Sequence, residues 1–336
     1  MKAMVLTGPE NLVQGEVATP VPALGKTLVR VTQSGVCGTD LKIFQGGIPV
    51  DYPRIMGHEM IGEVVEGDGP LLSGARVIID PVVFCGHCFH CRNGQEHLCP
   101  NGHVLGRDRD GGFADYILAP SDAVFALPDT VASREAPLIQ VLTTCLHGQR
   151  LVKVFPGEAV IVLGLGVAGQ LHVQLAKARG AYPVIGITRS PARRQLAEEL
   201  GADVTLAPGD DVGARVAELT DGRGADLVIE SVGQLSVLAQ AVDLARIGGR
   251  LLLFGIYTGD EAKLPFYQLY YKELAIINAR AARRQDYPAS IDLVGRGVVR
   301  LGPMVSHVLP LKQLAQAITM LAERDDHRMK VILDHG

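Results

Sequence analysis

The 336-residue sequence predicts an α/β protein in two parts, a β-rich first part and a second part built on a doubly wound parallel sheet. Three observations predict it. From about Phe155 onward, apolar strands alternate with amphipathic helices, as in a sheet covered on both faces. Before that point, short strands are separated by Gly, Pro and Asp, and helical periodicity is weak until about Arg134. The core is aliphatic: 47% of residues are hydrophobic but only 5% aromatic, with no Trp, which suits buried parallel strands.

In the first part Thr27–Val31, Ile61–Val65, Arg76–Ile79 and Ala114–Leu118 read as strands. Ala159–Leu163 is a buried strand, followed by a helix through Arg179 whose apolar face carries Val167, Leu171, Leu175 and Ala178. Val184–Ile187 is the next strand. Ser190 then supplies an N-cap and Pro191 a first-turn proline for a helix to Leu200, which Gly201 stops. Strands follow at Val204–Leu206, Leu227–Glu230, Leu251–Phe254 and Leu274–Asn278, with a helix at Leu235–Ile247. The final segment loses this rhythm: Val305–Leu309 and Lys330–Leu333 read as strands flanking a helix at Leu311–Arg324. The length suits two domains.

Composition excludes several functions. With 32 basic against 36 acidic residues the net charge is −4, leaving no basic excess to neutralise phosphates, so nucleic acid is not the expected partner. The longest apolar-plus-Gly run, Ala159–Gly169, is well short of the roughly 20 residues that cross a bilayer. The N-terminus has no signal-peptide pattern. We therefore expect no membrane partner and a cytoplasmic location.

Ala159–Leu163 leads into Gly164-Leu165-Gly166-Val167-Ala168-Gly169 and then a helix. Strand, glycine motif and helix stand in the order a dinucleotide site requires. Gly164 permits the tight turn, Gly166 lets the backbone approach a pyrophosphate, and Gly169 lets helix and sheet pack closely. The first-turn amides of Val167 and Ala168 face the phosphates. After the second strand come Thr188, Arg189 and Ser190, with no Asp or Glu from Ala181 to Ala197. An acidic residue there would accept from the ribose 2′-OH of NAD; a guanidinium pairs instead with a 2′-phosphate. Thr188, Arg189 and Arg193 thus favour NADP(H) over NAD(H), although solvated arginines are a plain alternative for Arg193 and Arg194.

Four of the six cysteines, Cys85, Cys88, Cys91 and Cys99, are spaced C-x2-C-x2-C-x7-C. Four thiolates so placed can close a tetrahedral shell around one structural Zn2+. A pair of disulfides, a redox CxxC and an iron–sulfur cluster are the alternatives. His87 and His90 are bystanders in the zinc reading. Cys37-Gly38-Thr39-Asp40 and Gly57-His58-Glu59 have bland readings separately. Beside a dinucleotide site, Cys37, His58 and Glu59 form a sulfur, nitrogen and oxygen ligand set for a second, catalytic zinc with a position left for substrate. Thr39 is placed to hydrogen-bond the substrate oxygen and pass its proton outward. Arg280, Arg283 and Arg284 follow the last strand of the second part, where a contact to an anionic or polyhydroxylated substrate, a contact to the cofactor and plain surface charge are all open readings.

These motifs, with Gly62 after Glu59 and with Gly111-Gly112-Phe113-Ala114-Asp115-Tyr116, stand in the order of the zinc-containing medium-chain dehydrogenases/reductases. Nearly end to end the chain resembles their sorbitol (polyol) and threonine dehydrogenase branch. The resemblance implies a GroES-like catalytic domain over 1–150 and 294–336, carrying a structural zinc lobe at about 85–99. It implies a Rossmann domain over 151–293 and a homodimer or homotetramer. It also implies that Cys37, His58 and Glu59 surround the catalytic zinc, in a cleft between the domains. Two departures stand out. Gln140, in Ala136-Pro137-Leu138-Ile139-Gln140, occupies a position where the family usually has Glu or Cys; it either ligates the metal, directly or through water, or merely packs nearby. Lys42 replaces a common proton-relay His, which makes relay through it doubtful. The function implied is hydride transfer between NADP(H), or NAD(H), and a small polar secondary alcohol, polyol or sugar-derived substrate and its carbonyl. A zinc-independent quinone or enone reductase and a non-catalytic cofactor-binding protein are the competing readings.

Overall fold

Antiparallel pairing dominates the first part of the chain, as its turn-rich sequence requires. The computed structural model describes residues 1–209, 211–257, 263–323 and 325–336. The chain begins with β1 (Lys2–Gly8), β2 (Asn11–Glu16), β3 (Lys26–Val36), helix α1 (Gly38–Phe44), β4 (Arg54–Ile55), β5 (Glu59–Gly67) and β6 (Arg76–Ile79). A lobe follows with β7 (Val82–Val83), α2 (Phe89–Arg92) and β8 (His103–Val104), then β9 (Tyr116–Pro120), β10 (Val124–Ala126) and the long helix α3 (Leu138–Val152). Next come β11 (Val160–Leu163), α4 (Val167–Ala178), β12 (Val184–Ile187), α5 (Pro191–Glu199), β13 (Val204–Leu206) and α6 (Val212–Leu219). The alternation continues through β14 (Ala225–Glu230), α7 (Leu235–Leu244), β15 (Ala245–Leu253), α8 (Phe266–Tyr271) and β16 (Ala275–Asn278). The chain closes with α9 (Asp286–Gly295), β17 (Val305–Pro310), α10 (Leu314–Ala322) and β18 (Lys330–Asp334).

Two compact units result. One comprises Met1–Val141, Arg283–Gly297 and Leu301–Gly336; the other comprises Leu142–Ala282 and Val298–Arg300. The changeovers fall earlier than the positions 150 and 293 expected from the sequence. The first lies inside α3, a continuous helix that offers no loop or composition break to mark it.

In the first unit β10-β6-β5-β3-β18-β17 form a sheet in that order, with β9 pairing the other end of β3, and β2-β1-β4 form a smaller sheet. The C-terminal strand β18 therefore rejoins the first part. Its Val331 and Leu333 share one core with Leu6, Val36, Ile43, Met56 and Phe113, and α10 adds Leu314 and Ile318.

The second unit is a parallel sheet in the order β13-β12-β11-β14-β15-β16, the doubly wound arrangement. Alternation along its strands loads both faces with aliphatic side chains. Ile161, Ile185 and Val228 pack on one side, and Val160, Val184 and Leu227 on the other.

Two helices differ from expectation. The helix expected over Leu235–Ile247 ends at Leu244, because Lys272 Nζ donates to the carbonyls of Val242, Asp243 and Ala245 at 2.8–2.9 Å and the chain then enters β15. The helix expected over Leu311–Arg324 opens with a 3-10 turn, Leu311–Gln313, before α10; Arg324 lies outside the described residues. Among the described residues no helix is long and apolar enough to cross a membrane.

The turn after β11 is packed to the limit. A Cβ on Gly169 would lie 1.9 Å from the Gly164 carbonyl oxygen, whereas one on Gly213 in α6 would meet nothing within 4 Å. Gly169→Val is therefore expected to lower stability by about 2 kcal/mol through overpacking. Gly213→Ala should raise it by about 0.5–1 kcal/mol through helix propensity, both read by denaturant unfolding.

Candidate functional site

Strand register assembles the first candidate site within the first unit. β3 and β5 pair so that Gly35 stands opposite Glu59, and β18 pairs with the same end of β3, Val331 opposite Val36. Cys37 follows β3 directly and N-caps α1, while His58 and Glu59 begin β5. Gly57 turns the chain into His58 at a φ of 96°, a conformation that favours glycine. The donor atoms of Cys37, His58 and Glu59 all lie within 4.8 Å of one another.

Asp40, in the first turn of α1, is fully buried behind this group. Its Oδ2 accepts from the Cys37 amide at 2.8 Å, and its Oδ1 faces His58 Nδ1 at 3.5 Å. Burial pulls the His58 imidazole down, but the Asp40 carboxylate, with Cys37 beside it, outweighs burial and raises it well above its ordinary value. With Nδ1 turned to Asp40, Nε2 is the nitrogen left to bind a metal. Asp40 Oδ1 is buried and has no hydrogen bond among the described residues. A metal drawing on the imidazole would strengthen that contact, so the residues present fit zinc, with soft sulfur, nitrogen and oxygen donors together.

A residue the sequence reading missed completes the site. Lys330, the first residue of β18, is buried, and its Nζ lies 2.8 and 2.6 Å from Glu59 Oε1 and Oε2 and 3.2 Å from the Val36 carbonyl. Burial alone would lower the Lys330 pKa, but Glu59, with Cys37 and Asp40 behind it, holds it above its ordinary value. Gly35 makes the room: a Cβ there would lie 2.2 Å from Glu59 Oε2. The signal in the sequence is a lysine heading an otherwise aliphatic strand, Lys330-Val331-Ile332-Leu333, which reads equally as a solvated strand end.

Thr39 and Lys42 lie half-buried on α1, and Gln140 lies half-buried in the first turn of α3. Among the described residues the Gln140 side chain makes no hydrogen bond to Cys37, His58 or Glu59.

The second cluster is the lobe. The Cys88–Cys91, Cys85–Cys99, Cys88–Cys99 and Cys85–Cys91 sulfur pairs are 3.4, 3.5, 3.8 and 4.0 Å apart, and all six cysteines are free. Sulfurs around one tetrahedral zinc at bonds of about 2.3 Å stand about 3.8 Å apart, so the four fit the ion and not a pair of disulfides. The His87 and Cys88 amides help lower the Cys85 thiol to about 6, toward the thiolate that a metal requires.

Arg284 anchors this lobe. It pairs with Asp80 at 3.1 Å and Asp122 at 2.6 Å, and it donates to the Val82 carbonyl. Its guanidinium covers Phe84 at 4.2 Å, and its amide donates to Glu96. Its bonds are thus used structurally, whereas Arg280 is exposed and Arg283 half-buried.

The second unit carries a groove of about 400 Å3, lined among others by Gly164, Gly166, Thr188, Arg189, Arg193 and Ser231. Among the described residues no Asp or Glu lines it. Gly166 N-caps α4 without a side-chain acceptor, so the Val167 and Ala168 amides begin a helix whose positive end faces the groove. Gly169 is buried in the strand–helix packing rather than in the lining. Arg194 is not simply solvated: its Nη1 donates to the Thr188 and Arg189 carbonyls at 2.9 and 3.1 Å, stiffening the loop that presents Arg189.

Known proteins match both units. The zinc-binding dehydrogenase family matches residues 167–296, and the alcohol dehydrogenase GroES-like domain matches residues 23–129. A sorbitol dehydrogenase of Halalkalibacterium halodurans is 30% identical over 341 residues, spanning 99% of each chain. An L-threonine 3-dehydrogenase of Pyrococcus abyssi is 35% identical over 308 residues, spanning 87% of this chain and 86% of its own. A solved structure from Sinorhizobium meliloti, described as a zinc-binding dehydrogenase bound to NADP, superposes with a TM-score of 0.94. It is 33% identical, with 99% of this chain and 98% of that one covered. An Escherichia coli alcohol dehydrogenase complexed with NADH superposes at 0.92, with 30% identity and 99% of each chain covered.

The Lys330–Glu59 pair carries a direct expectation. Lys330→Met leaves Glu59 buried and unpaired, which should cost about 3–5 kcal/mol in metal-free protein. The loss should be smaller in zinc-loaded protein, where a second cation faces the carboxylate. Denaturant unfolding with and without a chelator reads both values.

Proposed function

Because the chain belongs to the zinc-containing medium-chain dehydrogenase/reductase family, we propose that it interconverts a small polar secondary alcohol, polyol or sugar-derived substrate and its carbonyl, with NADP(H) preferred over NAD(H). The observation that carries this reading is the donor set of Cys37, His58 and Glu59 gathered within 4.8 Å. When bound, zinc at that set supplies Lewis-acid polarisation of a substrate oxygen, and a nicotinamide ring supplies the hydride acceptor.

The chain's own residues do the rest. Cys37, His58 and Glu59 would hold the ion, and Asp40 would fix the histidine tautomer that can bind it. Lys330 balances the charge of Glu59 and keeps that carboxylate beside the site. The Thr39 hydroxyl hydrogen-bonds the substrate oxygen and leads its proton outward along α1. Gln140 is a neutral amide, so any part it takes as a ligand adds no negative charge and leaves the site more electrophilic than a carboxylate or thiolate would. In the groove, the Val167 and Ala168 amides take the pyrophosphate. Arg189 and Thr188 take the adenosine 2′-phosphate, with Arg193 alongside. Cys85, Cys88, Cys91 and Cys99 would hold a second zinc in a closed shell, which would serve folding alone.

The likeness to a relative named sorbitol dehydrogenase supports the polyol class. Among the described residues the sheet of the second unit ends in β16, paired on one side only, and α8, which precedes it in the chain, exposes Phe266, Tyr267, Tyr270 and Tyr271. That edge supports the expected homodimer or homotetramer, and sedimentation equilibrium is expected to give the mass of two or four chains, with a single-chain mass refuting it.

A panel of secondary alcohols and polyols with both cofactors tests the reading. Wild-type kcat/KM is expected to be higher with the phosphorylated cofactor. Arg189→Glu should shift the NADP/NAD preference toward NAD by about tenfold or more, as loss of a charge-assisted pair implies. A wild-type preference for NAD would overturn the role given to Arg189.

A further inference from the structure

At the C-terminal ends of β14 and β15, two loops meet on a single carboxylate. Glu230, the last residue of β14, is 0% exposed. Its backbone carbonyl accepts from the amides of Phe254 and Gly255, just after β15, at 2.9 Å each. Its side chain holds the other loop: Oε1 accepts from the Val232 and Gly233 amides at 2.7 and 3.0 Å. Oε2 accepts from the Gly233 amide at 3.1 Å and from the Tyr257 hydroxyl at 2.5 Å. Burial and the neighbouring carboxylate raise the Tyr257 phenol, so it stays a donor. Among the described residues Glu230 has no ion pair; amide and hydroxyl dipoles alone neutralise it. The loops themselves touch backbone to backbone. A Cβ on Gly255 would lie 2.2 Å from the Gly233 nitrogen, and one on Gly233 would lie 2.7 Å from the Ile256 oxygen.

The loop so held is a wall of the groove. Ser231 and Val232 line it, and Ser231 Oγ donates to the carbonyls of Leu163 and Gly164 at 2.9 and 2.8 Å. Thr188 and Arg189 bound the groove on the opposite side of β11, after β12. In a doubly wound sheet a dinucleotide lays one mononucleotide on each half. With the groups that read the adenosine ribose on the β12 side, the β14 side receives the nicotinamide half.

Resting on the cofactor reading above, we infer that Glu230 is a positioning residue for the nicotinamide half of the groove and that Tyr257 is the hydroxyl that locks it. Glu230 touches neither cofactor nor substrate. It acts by pinning the 231–233 backbone against the glycine turn and by tying that backbone to the loop after β15. Glu230→Ala frees the Val232 and Gly233 amides and the Tyr257 hydroxyl while the backbone bonds to Phe254 and Gly255 remain, Glu230→Gln keeps an acceptor for the Val232 and Gly233 amides, and Tyr257→Phe removes one bond only.

The test is a set of dissociation constants, measured by calorimetry on the full-length protein, for NADPH, NADH and the adenosine fragments adenosine 2′,5′-bisphosphate and AMP. For the tighter dinucleotide, Glu230→Ala is expected to weaken binding about tenfold or more and Tyr257→Phe by about threefold, with Glu230→Gln between them, as the loss of the bonds from all three donors, against one, implies. The matching fragment should bind each variant within about twofold of wild type, because its half of the groove is untouched. Equal weakening of fragment and dinucleotide would mark a general structural role and overturn the assignment, as would unchanged dinucleotide binding. If Glu230→Ala does not fold, Tyr257→Phe decides, since its half-buried hydroxyl can be removed without opening a cavity. Wild-type protein that binds the fragments but neither dinucleotide would overturn this assignment alone. Protein that binds none of the four would overturn the cofactor reading with it.

Discussion

Lys330 Nζ sits between both oxygens of Glu59 at 2.6 and 2.8 Å, in a place closed to water, and the pocket around Cys37 and His58 is arranged about that pair. Neither charge could be buried alone, since the desolvation of an unpaired ion costs several kcal/mol. The two residues are brought together by pairing across three strands: β5 against β3, and β3 against the last strand of the chain. A slip of one residue in either pairing would turn a charged side chain to the wrong face. The same pairing carries Cys37 to the end of β3, opposite the start of β5. The C-terminal strand thus has an electrostatic duty at the site as well as a place in the core beside Leu6 and Ile43.

What was legible in the sequence was chemistry that is local along the chain. The four lobe cysteines fall within 15 residues, and the glycine motif joins one strand to the next helix, so spacing alone disclosed both. The strands at Arg76–Ile79, Val184–Ile187 and Val204–Leu206 were equally plain, because each is a short apolar run between turn residues. Cys37 and His58 were found from their motifs, by company rather than by spacing. Lys330 could not be found that way: its partner is 271 residues distant, and only register joins them. Glu230 was hidden for a related reason. As the last residue of a parallel strand it resembles any polar strand end, until the loops it binds are seen to converge on it.

Other differences have local causes. Helix α1 is only seven residues long and is N-capped by the proposed ligand Cys37, so its periodicity is too short to register. The helix after β14 was read too long because Ala245, Arg246 and Ile247 continue its apolar pattern; the Lys272 ammonium that terminates it comes from a distant position. Arg284 drew notice as a charged residue after the last parallel strand. Its role emerges only from contact with Asp80, Asp122 and Phe84, where it holds the cysteine lobe to the segment that returns from the second unit.

The proposed activity requires a metal ion at the Cys37, His58 and Glu59 donor set in addition to the four-sulfur lobe. Anomalous diffraction at the zinc absorption edge, from crystals of protein purified without chelator, tests it most directly. Two peaks per chain are expected, one centred among the sulfurs of Cys85, Cys88, Cys91 and Cys99 and one within bonding reach of Cys37 Sγ and His58 Nε2. A lobe peak alone, persisting as the sole signal after zinc soaking, would contradict it.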